Sequence, residues 1–247
     1  MTLRPAPPGT GIVFRRPGGG DAIPATLAAV TGTAGRISLG GEDGVQTVEH
    51  LLSAAWALGI DNLDVELDGS EVPGMDGSAL PIVRVLREAG LRPQEAPRPM
   101  LAVRRPVWVG EGSAFAVALP APRFGAAYLV SFDPPWSEDQ AATYDPVRDS
   151  YEELIAPART WGYERDADAL RRRGMALGAS LENTLVIRDA GFRNAPRFPN
   201  EPARHKVLDL LGDLALLGRE VRGYVIGIRA GHSLHVALAR ALSQQEG

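Results

Sequence analysis

Residues 203–217, ARHKVLDLLGDLALL, constrain this 247-residue chain more than any other stretch. The run reads as a helix, and Val207, Leu208, Leu210, Leu211, Leu214, Leu216 and Leu217 make it apolar around most of its circumference. A helix this apolar should be largely buried. Against that background His205, Asp209 and Asp213 recur at i, i+4 and i+8, which places them in one polar stripe. Buried carboxylates are costly unless they are paired or bind a metal, and a His and an Asp one turn apart can both face one ion. The plainer reading is a His–Asp surface pair on the solvated edge of an ordinary amphipathic helix. On this segment alone the two readings stand level.

Composition narrows the choice. The chain has no cysteine, which removes disulfides, thiol nucleophiles and thiolate metal sites and leaves only His and carboxylates for a transition metal. There are four histidines: His50, His205, His232 and His235. His50 follows Glu49 in TVEHLLSAAWALG, an apolar helix predicted to start at an N-cap Thr47 and stop at Gly59. A lone His on such a helix is usually a satisfied core residue, and a Glu in the first turn usually just complements the helix dipole. In combination they say more. Catalytic zinc takes three protein ligands and leaves a fourth place to water; His50, His205 and Asp209 would be that set, with Glu49 as the carboxylate that takes the proton. His232, after Ala230 and Gly231, reads by default as a helix-start residue near solvent; Asp213 is a candidate to fix its tautomer and favour the imidazolium. His235 lies three residues on and suggests no chemistry.

The rest of the chain reads as α+β, two similar α/β sandwich halves with helices packed on a mixed or antiparallel sheet and the site between them. The first half, residues 1–92, has strand-like GIVFRR, TLAAVTG, RISLGG and NLDVELDG and a second helix, PIVRVLREAG, with Ile82, Val85, Leu86 and Ala89 on one side. Proline-rich residues 93–100 read as a linker. Residues 101–247 repeat the strands-then-helices order, through AFAVAL, AAYLVSF, NTLVIRD and GYVIGIRAG to a final helix, SLHVALARAL. The net charge of −4 gives no general attraction for nucleic acid. No secretory signal or membrane-length apolar run stands out, so the expectation is a cytoplasmic, monomeric protein with no transmembrane segment.

The segments TVEHLLSA, GIDN, EVPGMDGSA, ARTWGY, ALGASLEN, RHKVLDLLGDL and GHSL, in this order over nearly the whole chain, resemble the UDP-3-O-acyl-N-acetylglucosamine deacetylase family, the zinc amidases of the lipid A pathway. The resemblance implies Zn2+ held by His50, His205 and Asp209, with Glu49 as general base. It implies that His232, supported by Asp213, is the charged histidine that stabilises the oxyanion and protonates the leaving amine. Thr160 falls on the threonine that hydrogen-bonds the tetrahedral intermediate and Trp161 on the aromatic that packs against the sugar. Lys206 falls on the lysine that contacts sugar and diphosphate, Arg229 on a basic position near the nucleotide, and Phe132 on an aromatic beside uracil. An insert from about 163 to 186 would form the acyl-chain tunnel.

This sequence also departs from the family's pattern. It starts inside what resembles the second strand, without the preceding Gly-Leu-His-Ser/Thr-Gly segment, so an expectation is a first sheet short of an edge strand. FDPP carries Pro134 where the family has His; Asn200 stands where Asp is usual and Pro202 where an aromatic is usual. The expected reaction is zinc-dependent removal of the N-acetyl group from a UDP-sugar lipid precursor. The alternatives are a zinc amidase for another N-acyl sugar nucleotide and a non-catalytic protein that binds metal or UDP-sugar.

Overall fold

The computed structural model describes all residues except 20, 134, 135, 137 and 247; Pro134 therefore lies outside the described residues. Among the described residues two mixed sheets are the principal ones. The first runs Thr2–Pro5, Leu63–Glu66, Ile12–Arg15, Ile23–Pro24, with the strand pair 63–66 and 12–15 parallel and the others antiparallel. The second runs Asp139–Tyr144, Gly125–Ser131, Tyr224–Ile228, Ala114–Leu119, Val107–Glu111, with only 125–131 and 224–228 parallel.

The helices are α1 (Glu49–Leu58), α2 (Leu80–Ala89), α3 (Tyr151–Leu154), α4 (Ala167–Arg172), α5 (Glu201–Ala215) and α6 (His232–Ser243). Helix α5 lies on the second sheet against strands 125–131 and 139–144, α6 lies beside it against 107–111 and 114–119, and α1 crosses the other side of α5. Helix α5 is thus the middle layer, which is why it is apolar nearly all round. Val207, Leu208, Leu210, Leu211 and Leu214 are fully buried, each stabilising the fold by roughly 1.5–3 kcal/mol. The buried apolar core is continuous through both sheets and the helices between them. Residues 161–188 form a parallel β-α-β piece: Trp161–Tyr163 pairs with Leu185–Arg188 across α4.

Sequence and structure differ locally in three places. Thr47 is not the N-cap of α1. It sits at φ 57, its N–H donates to the Ile37 carbonyl, its hydroxyl bonds Glu71, and Val48 occupies the cap position. Gly59 does close the helix, in the left-handed conformation that glycine adopts without a Cβ penalty. The buried face of α2 is Ile82, Val83 and Leu86; Val85 is 51% exposed and Ala89 is also exposed, because the helix meets α1 one position round from the face its spacing suggested. TLAAVTG is half a 3-10 turn, Leu27–Ala29, and half a short strand, Val30–Gly32.

The crossing of α1 over α5 is set by one glycine. A Cβ on Gly212 would fall 2.1 Å from the Glu49 carbonyl oxygen and 3.0 Å from its Cα. In an open helix, Gly→Ala stabilises by about 1 kcal/mol. Here the contact reverses the sign: Gly212→Ala is expected to lower the unfolding free energy by about 1–3 kcal/mol in urea titrations, while Gly41→Ala, with nothing within 4 Å of its would-be Cβ, should change it by less than ~0.5 kcal/mol.

Candidate metal centre

The polar stripe of α5 faces α1 and α6 and not solvent. His205, Asp209 and Asp213 are 3%, 2% and 0% exposed. Their burial is compensated, since each is paired. At the crossing with α1, His50 Nε2 lies 4.0 Å and His205 Nε2 3.4 Å from Asp209 Oδ1, and the two imidazoles meet edge to face at 5.1 Å. Ligands on a tetrahedral zinc with bonds near 2.0–2.1 Å stand about 3.3 Å apart, so these three donors fit one ion with little movement.

Their protonation fits too. Burial, with His205 nearby, drives His50 down to about 3, and burial likewise lowers His205. Both rings are therefore neutral, as ligands must be. The partner of His205 Nδ1 is the Ala158 carbonyl at 3.0 Å. A carbonyl only accepts, so the proton is on Nδ1 and the Nε2 lone pair faces Asp209. Burial would raise Asp209, but its neighbours, the Lys206 ammonium foremost, outweigh it and hold the carboxylate well below its ordinary range; Lys206 donates to Oδ2 at 2.8 Å.

Glu49 and His232 flank this set, and both are raised, for different reasons. Burial lifts the Glu49 carboxyl to about 7, partly opposed by His232 and reinforced by Asp209 and Asp213; its Oε2 accepts the Ile37 N–H at 3.1 Å. His232 is 6% exposed, so its default reading as a solvent-side residue fails: it opens α6 after an extended Gly231 and lines the cavity. Burial opposes its charge, yet Asp213 and Asp209 raise it to about 9. Its Nδ1–H donates to Asp213 Oδ2 at 2.7 Å.

His235, without an assigned role in the sequence, is fully buried and donates from Nδ1 to the same Asp213 oxygen at 2.7 Å. Its Nε2 lies 2.8 Å from the Tyr128 hydroxyl, which donates to the Ala230 carbonyl. Asp213, His232 and His235 also bring ligand-type atoms together, but separations of 2.7 Å are hydrogen bonds, too short for two ligands of one zinc. The H-x-x-H spacing on an apolar helix was the available signal for His235. Tyr128 left none.

A cavity of about 270 Å³ opens over these groups. Glu49, His50, Thr160, Trp161, His205, Lys206, Asp209 and His232 line it together with Thr33, Gly35, Gly231 and Ser233. Asp213 stands behind His232, outside the lining. Phe132 does not line it either. It is buried, stacks on Trp136 at 4.5 Å and meets Trp161 edge-on at 5.7 Å, so it backs the wall. Arg229 is exposed just after strand 224–228, at φ 53, with its N–H on the Leu129 carbonyl. Asn200 bridges the Ala141 carbonyl and Arg204 at the start of α5, and Pro202 is buried in its first turn.

A family model of UDP-3-O-acyl N-acetylglycosamine deacetylase matches residues 1–244. The chain belongs to that family. It is 44% identical over 250 residues to the UDP-3-O-acyl-N-acetylglucosamine deacetylase of Thermosynechococcus vestitus, an alignment covering 99% of this chain and 87% of that protein. It is 43% identical over 246 residues to the deacetylase of the same name from Myxococcus xanthus, covering 97% and 78%. It is also 43% identical over 249 residues to that of Pseudomonas entomophila, covering 98% and 82%. Among the described residues no helix is long and apolar enough to cross a membrane.

For this deacetylase-family site, removing the Asp213 carboxylate should release His232 from its raised pKa. Asp213→Asn is expected to lower the His232 titration, followed by imidazole NMR of the metal-free protein, by at least about one unit from the wild-type value near 9. An unshifted titration would show that Asp213 does not hold the charge.

Proposed function

We propose that the chain is a zinc-dependent amidase that removes the N-acetyl group of UDP-3-O-acyl-N-acetylglucosamine in lipid A biosynthesis, acting as a cytoplasmic monomer. The observation that carries this reading is the convergence of His50, His205 and Asp209 beside Glu49 and His232 in one buried cavity, in a chain of the deacetylase family. The halves 1–92 and 101–247, joined by residues 93–100, would supply opposite walls.

When bound by His50, His205 and Asp209, zinc would act as a Lewis acid toward water and the amide carbonyl, and its charge would favour ionised Glu49 and neutral His232. Glu49 accepts a proton from the attacking water, whose oxygen adds to the acetyl carbon. Thr160, on the cavity wall, donates its hydroxyl to the developing oxyanion, and the His232 imidazolium adds a second stabilising charge. As the C–N bond breaks, His232 gives its Nε2 proton to the leaving amine and acetate departs. Lys206 and Arg229 would meet the diphosphate and nucleotide, Trp161 the sugar face, and Phe132 the uracil side. The 163–186 insert would take the acyl chain.

The pH profile follows from these roles. Glu49 must be ionised to accept a proton, so activity falls below its pKa of about 7; His232 must be protonated to donate one, so activity falls above its pKa of about 9. The expected kcat/KM profile is a bell, with each limb at or below those values because the metal's charge lowers both. A chelator should abolish acetate release and added zinc restore it. Glu49→Gln is expected to lower kcat by ~10²–10⁴-fold with one zinc per chain retained. Unchanged turnover would overturn the base assignment, and activity in the metal-free protein would overturn the metal reading.

A further inference from the structure

Beneath the cavity, outside its lining, lies a buried ion pair with no part in the chemistry above. Glu201, the first residue of α5, is 0% exposed, and Arg159 is 6% exposed. Glu201 Oε1 accepts both the backbone N–H and Nε–H of Arg159 at 2.9 Å. Oε2 accepts Arg159 Nη2 at 3.2 Å and the Arg197 backbone N–H at 2.6 Å. Arg159 Nη2 also donates to the Ala195 carbonyl at 2.8 Å. Burying two charges is costly, and such pairs are weak evidence for stability. The location of this one is informative.

Arg159 is covalently flanked by two groups that the site uses. On one side is Ala158, whose carbonyl takes the His205 Nδ1 proton. On the other is Thr160, held further by its own N–H to the Gly77 carbonyl and its carbonyl to the Leu185 N–H. Glu201 itself precedes His205 by one helical turn. The carboxylate therefore ties the 158–160 segment to the same helix that carries His205 and Asp209.

We propose that Glu201 and Arg159 form a positioning clamp: they hold the Ala158 carbonyl against His205, fixing that ring's tautomer and aim, and hold Thr160 at the cavity wall. The proposal rests on the deacetylase reading for the roles of His205 and Thr160. A partner that orients a metal-bound histidine is typically worth 10–100-fold in metal affinity or activity, and a shift of about 1 Å in a positioned group can cost ~100-fold in rate.

The test uses the zinc-loaded full chain. Glu201→Gln keeps one acceptor oxygen and the side-chain volume but turns the other end into a donor facing Arg159 Nη2 and the Arg197 N–H. The expected result is a fall in kcat of at least about tenfold with KM changed less than about twofold, and about 10–100-fold weaker zinc binding in competition with a chromophoric chelator. The His205 Nδ1–H signal in imidazole-edited NMR should shift or broaden. Because the clamp acts partly through Thr160, Glu201→Gln should cost less in a Thr160→Ala background than in the wild type, whereas a merely structural pair gives additive losses. Arg159→Lys, which keeps the charge and loses the fork, should behave like Glu201→Gln. A folded Glu201→Gln protein with a lowered melting temperature but wild-type kcat and zinc affinity would overturn the proposal. If neither variant folds, the wild type decides: the His205 Nδ1 proton should exchange slowly, and rapid exchange overturns the clamp. Wild-type protein that binds no zinc and releases no acetate would instead defeat the deacetylase reading, a separate outcome.

Discussion

The close approach of α1 to α5 at Gly212 is the contact on which the rest depends. The backbone carbonyl of Glu49 occupies the space a side chain would fill, so the two helices touch main chain to main chain at that point. That contact fixes the position of Glu49 and the next residue, His50, over the turns of α5 that carry His205, Asp209 and Asp213. A wider crossing would carry His50 away from His205 and Asp209 and break up the three-donor set.

Around that crossing the charges are arranged in two tiers. Nearest the cavity, burial drives Glu49 up and His50 down, producing a carboxyl able to titrate near neutrality beside neutral ring nitrogens. His232, also on the cavity wall, is held charged against the same burial by Asp213, one layer back, and by Asp209. A carboxyl lifted to about 7 by burial beside an imidazolium held to about 9 by carboxylates is what acid–base chemistry at neutral pH calls for. Asp213 in turn is held by His235, and His235 by Tyr128. Tyr128 fits there because Gly227 leaves its ring room: a Cβ at 227 would fall 2.3 Å from that ring.

Much of this was legible in the residues. The apolar circumference of 203–217 pointed to a largely buried helix, and the His205–Asp209–Asp213 periodicity to a shared face. Alternation in NLDVELDG and the apolar run AAYLVSF marked true strands. What the sequence left open depended on third dimensions: whether the polar stripe met water or another helix, and where His50 arrived relative to it. Gly212 was a readable clue, a lone glycine in an otherwise strong helix, though its partner was not. The miss at α2 has a similar origin, since Val83 and Val85 are equally apolar and only the direction of α1 decides which is buried. Thr47 has the side chain of an N-cap, but Glu71, distant in sequence, claims its hydroxyl.

The central claim is that His50, His205 and Asp209 hold one metal ion. Anomalous diffraction at the zinc edge, from crystals grown with one equivalent of zinc, tests it most directly. The expected result is a single peak about 2 Å from His50 Nε2, His205 Nε2 and an Asp209 oxygen. No peak, or a peak among Asp213, His232 and His235 instead, would contradict it.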